Sequence, residues 1–127
     1  MTQTASDHAA ELDKVRRDCT QACLECQNAC EECAGDCLAS PEMMELMHEC
    51  VRRALDCGEL CALCATLLAR KSDLYVAVGA LCAAACERCA EECRAHDHPS
   101  CQRCGTAADR CAAACRQMLQ AVAARTA

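Results

Sequence analysis

Small apolar residues recur along this chain with a helical period. Between residues 19 and 37 they fall at Cys19, Cys23, Cys26, Cys30, Cys33 and Cys37, a 4-3-4-3-4 series that puts all six on one stripe of an α-helix. The series returns at Cys82, Cys86, Cys89 and Cys93. It returns again at Cys50, Cys57, Cys61 and Cys64 and at Cys101, Cys104, Cys111 and Cys115, where Ala54 and Ala108 fill the one missing step of each. Stripes at this spacing are the inward seam of a helix bundle.

Start and stop signals divide the chain into four such helices. Ser6 precedes Asp7, Ser40 precedes Pro41, Ser72-Asp73 follows the cations Arg70 and Lys71, and Asp97-His98 precedes Pro99, each a polar cap ahead of a helical run. The predicted helices span about 7–38, 41–71, 73–96 and 99–125, joined by loops of two or three residues. Short loops between long helices make sequence neighbours antiparallel. The expected fold is therefore all-α, an up-down-up-down four-helix bundle forming one domain over residues 1–127. Gly35, Gly58, Gly79 and Gly105 all fall inside helices, where each costs ~1 kcal/mol relative to alanine.

Composition changes what fills that bundle. Leu and Val together number 17, with no Ile, Phe or Trp and a single Tyr, whereas Cys numbers 18 in 127 residues. So few large hydrophobes ordinarily mark disorder. Here cysteine itself has to form the core, giving a bundle lined by inward-facing thiols. At one pole the stripes continue into Leu12, Val15, Leu68, Tyr75, Val78, Met118 and Val122, which reads as a hydrocarbon plug. At the other lie Met43, Met44, Met47 and His48, with His96 and His98 beside the last turn, so that this pole carries soft and borderline metal ligands.

Charge and segment patterns exclude some classes. A net charge of −6 and the lack of aromatic stacking groups argue against nucleic acid as a partner. No apolar run is long enough to span a bilayer, and the polar N-terminal stretch has no apolar signal core, so the expected location is the cytosol. Cytosolic thiols stay reduced, which favours metal chemistry over a disulfide framework. The spacing also lacks the run typical of ferredoxin clusters, and no βαβ pattern surrounds the C-x-x-C pairs.

Zinc and Cu(I) then compete. Tetrathiolate zinc sites would leave uncompensated negative charge in a low-dielectric core, whereas one Cu(I) per thiolate leaves none. Soft thiolates prefer Cu(I), pairs at i, i+4 can clamp an ion, and shared sulfurs can bridge ions, so capacity is expected to approach the cysteine count. A non-enzymatic Cu(I) store loading through Met43, Met44, Met47, His48, His96 and His98 is the leading expectation. A zinc or general thiophilic-metal buffer and a disulfide-stapled interaction module are the alternatives.

Cysteine ladders on four helices with Met and His gathered at one end resemble the bacterial copper storage proteins (Csp), and the resemblance covers essentially the whole chain. It implies a four-helix bundle that holds many Cu(I) ions in its core, assembled as a homotetramer; the missing signal matches the cytosolic branch. It further implies clamps at Cys19/Cys23, Cys26/Cys30, Cys33/Cys37, Cys57/Cys61, Cys82/Cys86, Cys89/Cys93 and Cys111/Cys115, with Cys50, Cys64, Cys101 and Cys104 completing sites across helices. Leu46, Leu60 and Leu67, with Leu63 nearby, are the expected surplus apolar surface for self-association.

Overall fold

The computed structural model describes residues 2–126, with side chains from 7 to 124, and they form α1 (Thr2–Cys37), α2 (Pro41–Leu46), α3 (His48–Ala69), α4 (Tyr75–Arg94) and α5 (Pro99–Thr126). The long helix α1 packs on α3 and α5, and α4 packs on α3 and α5, so each long helix lies beside its sequence neighbours. This is the up-down-up-down four-helix bundle. Among the described residues there is no strand, and no helix is long and apolar enough to cross a membrane.

The helix ends follow local chemistry, with three corrections. Helix α1 starts at Thr2, ahead of the expected 7, which places Ser6 inside the helix; its side chain lies outside the described residues. The second expected helix is two. Ser40 caps α2, its hydroxyl accepting from the Met43 N–H at 3.2 Å, but at Met47 the backbone leaves the helical well (φ −109°, ψ 15°). No α2 side chain is fully buried and Met43 meets the core only in part, so tertiary packing holds α2 weakly. Third, α4 begins at Tyr75 and ends at Arg94, because Ser72 caps the preceding turn (Leu74 N–H to its hydroxyl, 3.3 Å) and not the helix itself.

Helix α3 closes on Lys71, whose φ of 57° is left-handed. The Ser72 N–H returns to Leu67 O at 3.0 Å and the Lys71 N–H to Leu68 O at 3.2 Å, the double bond of a Schellman closure that normally uses glycine. A side chain there carries backbone strain. Lys71→Gly should therefore raise the stability of the apo fold by about 0.5–1 kcal/mol in thermal or urea melts under reductant. An unchanged or lower midpoint would mean that the lysine side chain offsets the strain.

Two glycines set how closely the helices approach. A Cβ at Gly58 would stand 3.3 Å from the Cβ of Cys30, and one at Gly105 would stand 3.3 Å from the Cβ of Cys93. The contacts are equivalent, α3 against α1 and α5 against α4, and each lets the neighbouring cysteine sit against bare backbone. On the surface, Arg94–Asp109 and Arg116–Glu87, both at 2.6 Å, link α4 to α5. Exposed pairs of this kind add little, ~0–1 kcal/mol.

Of the leucines expected outside, Leu67 is buried and Leu60 half-buried, because that flank of α3 packs toward α4. Leu46 and Leu63 are exposed as expected, and further exposed apolar side chains include Leu55, Leu74 just before α4, and Val76 and Leu81 on α4.

Candidate metal centre

All eighteen cysteines are free, and each is 0 % exposed. Their burial follows from the stripe: a 3-4 spacing on each of four antiparallel helices points every thiol at the bundle axis. Nearest sulfurs are 3.5–4.0 Å apart, including Cys57–Cys86 at 3.5 Å, Cys26–Cys57 at 3.6 Å, Cys30–Cys104 at 3.7 Å and Cys23–Cys111 at 3.6 Å. These are S–H to sulfur contacts across three pairs of helices.

The sulfurs form groups that share members. Cys19, Cys23, Cys64 and Cys115 lie within 4.8 Å of one another at the inner end. Cys23 and Cys115 belong also to a group with Cys82 and Cys111; Cys111 belongs to the next, with Cys26, Cys61 and Cys86; Cys26 belongs to the next, with Cys30 and Cys57. Through Cys104, Cys89 and Cys93 the chain of contacts reaches the outermost group, Cys33, Cys37, Cys50 and Cys101. A sulfur common to two groups is what a bridging thiolate requires. Ala54 and Ala108, both fully buried, take the fourth corner where α3 and α5 lack a cysteine. One group, Cys26, Cys30 and Cys57, has three members, which suits the trigonal sulfur coordination of Cu(I).

Hydrogen bonds between neighbouring thiols lower some of them and raise others along the whole column. Hydrogen bonds from Cys104 and Cys50 hold the Cys33 thiol down to about 7. Burial first, and then the charge on Cys33, push Cys37 up from an ordinary 9.0 to about 11, and the same two causes raise Cys101. Cys37 and Cys101 thus keep their protons in the fold where the unfolded chain loses them. A folded value above the unfolded one means stability that is complete below pH 9 and is lost as pH rises through about 11. Apo protein under reductant should melt at progressively lower temperature across that window, and Cys37→Ala should flatten the slope; a level wild-type profile would contradict the assignment.

At the methionine and histidine pole the structure separates the six candidates. Met47 is buried and Met43 half-buried against the thiol core, whereas Met44 and His48 are exposed. His96, just past the end of α4, is half-buried and bonds through Nε2 to Glu92 at 3.2 Å, which leaves Nδ1 free to bind a metal. His98 is the cap of α5: its Nδ1 accepts from the Ser100 N–H at 3.3 Å, and its carbonyl accepts from the Gln102 N–H at 3.1 Å. With Nδ1 accepting, the neutral ring carries its proton on Nε2, so metal binding by His98 would cost the cap. Ser100, almost fully buried, donates to Asp36 of α1 and accepts from Arg103 at 3.3 Å, tying α1 to α5 beside Cys37 and Cys101.

The opposite pole is closed. Leu12, Leu68, Tyr75 and Met118 are buried there, and Arg16 covers Tyr75, donating to its hydroxyl at 3.0 Å with the guanidinium 5.1 Å from the ring centre. Fully buried Met118 places a further sulfur at this end, where the spacing suggests only hydrocarbon.

Known proteins share this arrangement. The chain is 36 % identical to a Cu(I)-bound copper storage protein, BsCsp3, covering 83 % of this chain and 98 % of that one with a TM-score of 0.78. It is 31 % identical to a cytosolic copper storage protein from Streptomyces lividans, solved during loading with five coppers, covering 87 % and 97 % with a TM-score of 0.82. A cysteine-rich protein of Bacillus subtilis (strain 168), YhjQ, is 35 % identical over 93 residues, which is 73 % of this chain and 85 % of that protein. The profile of the copper storage protein family, Csp, matches residues 12–120, nearly all of the thiol-lined bundle, and the chain belongs to that family.

Proposed function

We propose that this protein is a cytosolic, non-catalytic store for Cu(I), holding about one ion per cysteine in the thiol column and releasing it when a carrier with higher affinity appears. Successive sulfur groups with shared members are the observation that carries this reading, because they allow bridged ions to fill the bundle from end to end. The metal set comprises the eighteen cysteines, with Met43, Met47 and His96 guiding uptake at the methionine and histidine pole. Met44, His48 and His98 take a lesser part, the first two being exposed and the third capping α5. Acidic side chains near this pole, among them Glu42, Glu45, Glu49, Glu91 and Glu92, raise the local cation concentration.

Competition tests the choice of metal. Native mass spectrometry of reduced apo protein given Cu(I) and Zn(II) together should show a multi-copper species with little zinc. Predominant zinc would favour a thiophilic-metal buffer, and apo protein whose thiols react only after reduction would favour a disulfide-stapled module.

Self-association to a tetramer is part of the proposal. Leu63 on α3, Val76 and Leu81 on α4 and Leu74 in the turn before α4, 41–61 % exposed, supply surplus apolar area. Leu81→Glu should lower the mass measured by light scattering without changing the Cu(I) bound per chain; unchanged mass would place the interface elsewhere.

A further inference from the structure

The inward stripe of α5 does not stop at Cys115. One turn further, ~4.5 Å along the axis, it reaches Met118, which is 0 % exposed. On the facing helix the stripe of α4 continues one turn past Cys82 to Gly79, and there the side chain is missing. The space is taken by Met118: a Cβ at Gly79 would stand 2.8 Å from its Cε and 3.8 Å from Leu119 Cδ2. The methionine therefore crosses from α5 to the backbone of α4, beneath the last thiols of both helices.

The rest of this pole is hydrocarbon, with Leu12, Leu68 and Tyr75 buried and Val15, Val78 and Val122 packed against the core. Glycine inside a helix is unfavourable relative to alanine, and at position 79 it admits one particular side chain. That side chain ends in a thioether, a soft and uncharged sulfur donor. Within the column a thiolate can lie between two ions. Beyond Cys19, Cys64 and Cys115 no thiol follows, so the innermost ion lacks sulfur neighbours on one side. A further thiolate would add negative charge to a core that one Cu(I) per thiolate leaves neutral, whereas a thioether adds a donor and no charge.

We propose that Met118 terminates the thiol column, its thioether sulfur binding the innermost Cu(I) ion together with Cys115. This rests on the copper-storage reading and assigns a ligand at the closed pole, away from the methionines of the mouth.

Selenium provides the test. Protein carrying Met43→Leu, Met44→Leu and Met47→Leu, labelled with selenomethionine, has selenium only at Met118 and Met1. After saturation with Cu(I), X-ray absorption at the selenium edge should show copper at bonding distance. Absence of that copper shell, in a sample whose copper edge shows full thiolate coordination, overturns the role of Met118 and leaves storage intact. Absence of thiolate coordination at the copper edge would instead overturn storage. Met118→Leu keeps the plug and should lower the Cu(I) retained against a chelator by about one ion per chain; retention equal to wild type would mean that Met118 only fills space.

Discussion

Reduced apo protein titrated with Cu(I) will bind about 18 ions per chain, one for each cysteine, and at neutral pH will release about one proton for each ion bound. The proton count follows from burial. Thiols with no exposed surface and sulfur neighbours at 3.5–4.0 Å stay largely protonated, since a second thiolate near the first is opposed by both desolvation and repulsion. Exchanging each proton for a singly charged ion keeps the core neutral, so binding can continue until sulfur is exhausted. Divalent zinc in tetrathiolate sites would leave two negative charges at each. A plateau after four or five ions, with base uptake to match, would contradict the column and indicate separate sites.

Loading will also raise thermal stability strongly. The apo protein should already be helical, because neutral thiols pack as small hydrophobes and the fully buried column is continuous. Metal then binds a preformed lattice in the folded chain and isolated cysteines in the unfolded one. One ion at a hundredfold excess over its dissociation constant adds ~2.7 kcal/mol, which for a chain of this length is a rise of ~10 °C or more. Many ions acting together should move melting well beyond that, and a strong Cu(I) chelator should return it to the apo value. Far-ultraviolet circular dichroism should change little between the two states. Apo protein that gains its helix only on adding copper would show that metal forms the fold, as in small zinc domains, and would rule out a preformed store.

The inward stripe was legible because its period needs no tertiary information: residues three and four apart share a helical face whatever surrounds them. Every cysteine identified by that spacing is buried, and Ala54 and Ala108, in register with them, are buried too. Caps gave two junctions closely, at Ser40 and His98. The misses have a common cause. Met47 has ordinary helical propensity, and the bend there goes with an α2 that has no fully buried side chain and meets the core through half-buried Met43. Leu67 lies one flank away from the cysteine stripe, and periodicity alone does not show that α4 covers that flank. His96 and His98 are two residues apart and look alike in sequence. The folded chain gives one a carboxylate partner and the other an amide to cap.

The glycines illustrate the same division. Their positions inside helices are visible in the sequence, while the reason for three of them lies on another helix: Cys30 against Gly58, Cys93 against Gly105 and Met118 against Gly79. Local periodicity by itself determined that there are four long helical runs, which face of each is apolar, and that this face is made of thiols. The grouping of the sulfurs, the shared members that permit bridging, the closed pole with its buried thioether and the separate duties of the mouth histidines were decided only by the tertiary structure. Spacing along one helix sets a side chain's direction, whereas the distance between sulfurs on different helices depends on how closely and in what register the backbones pack.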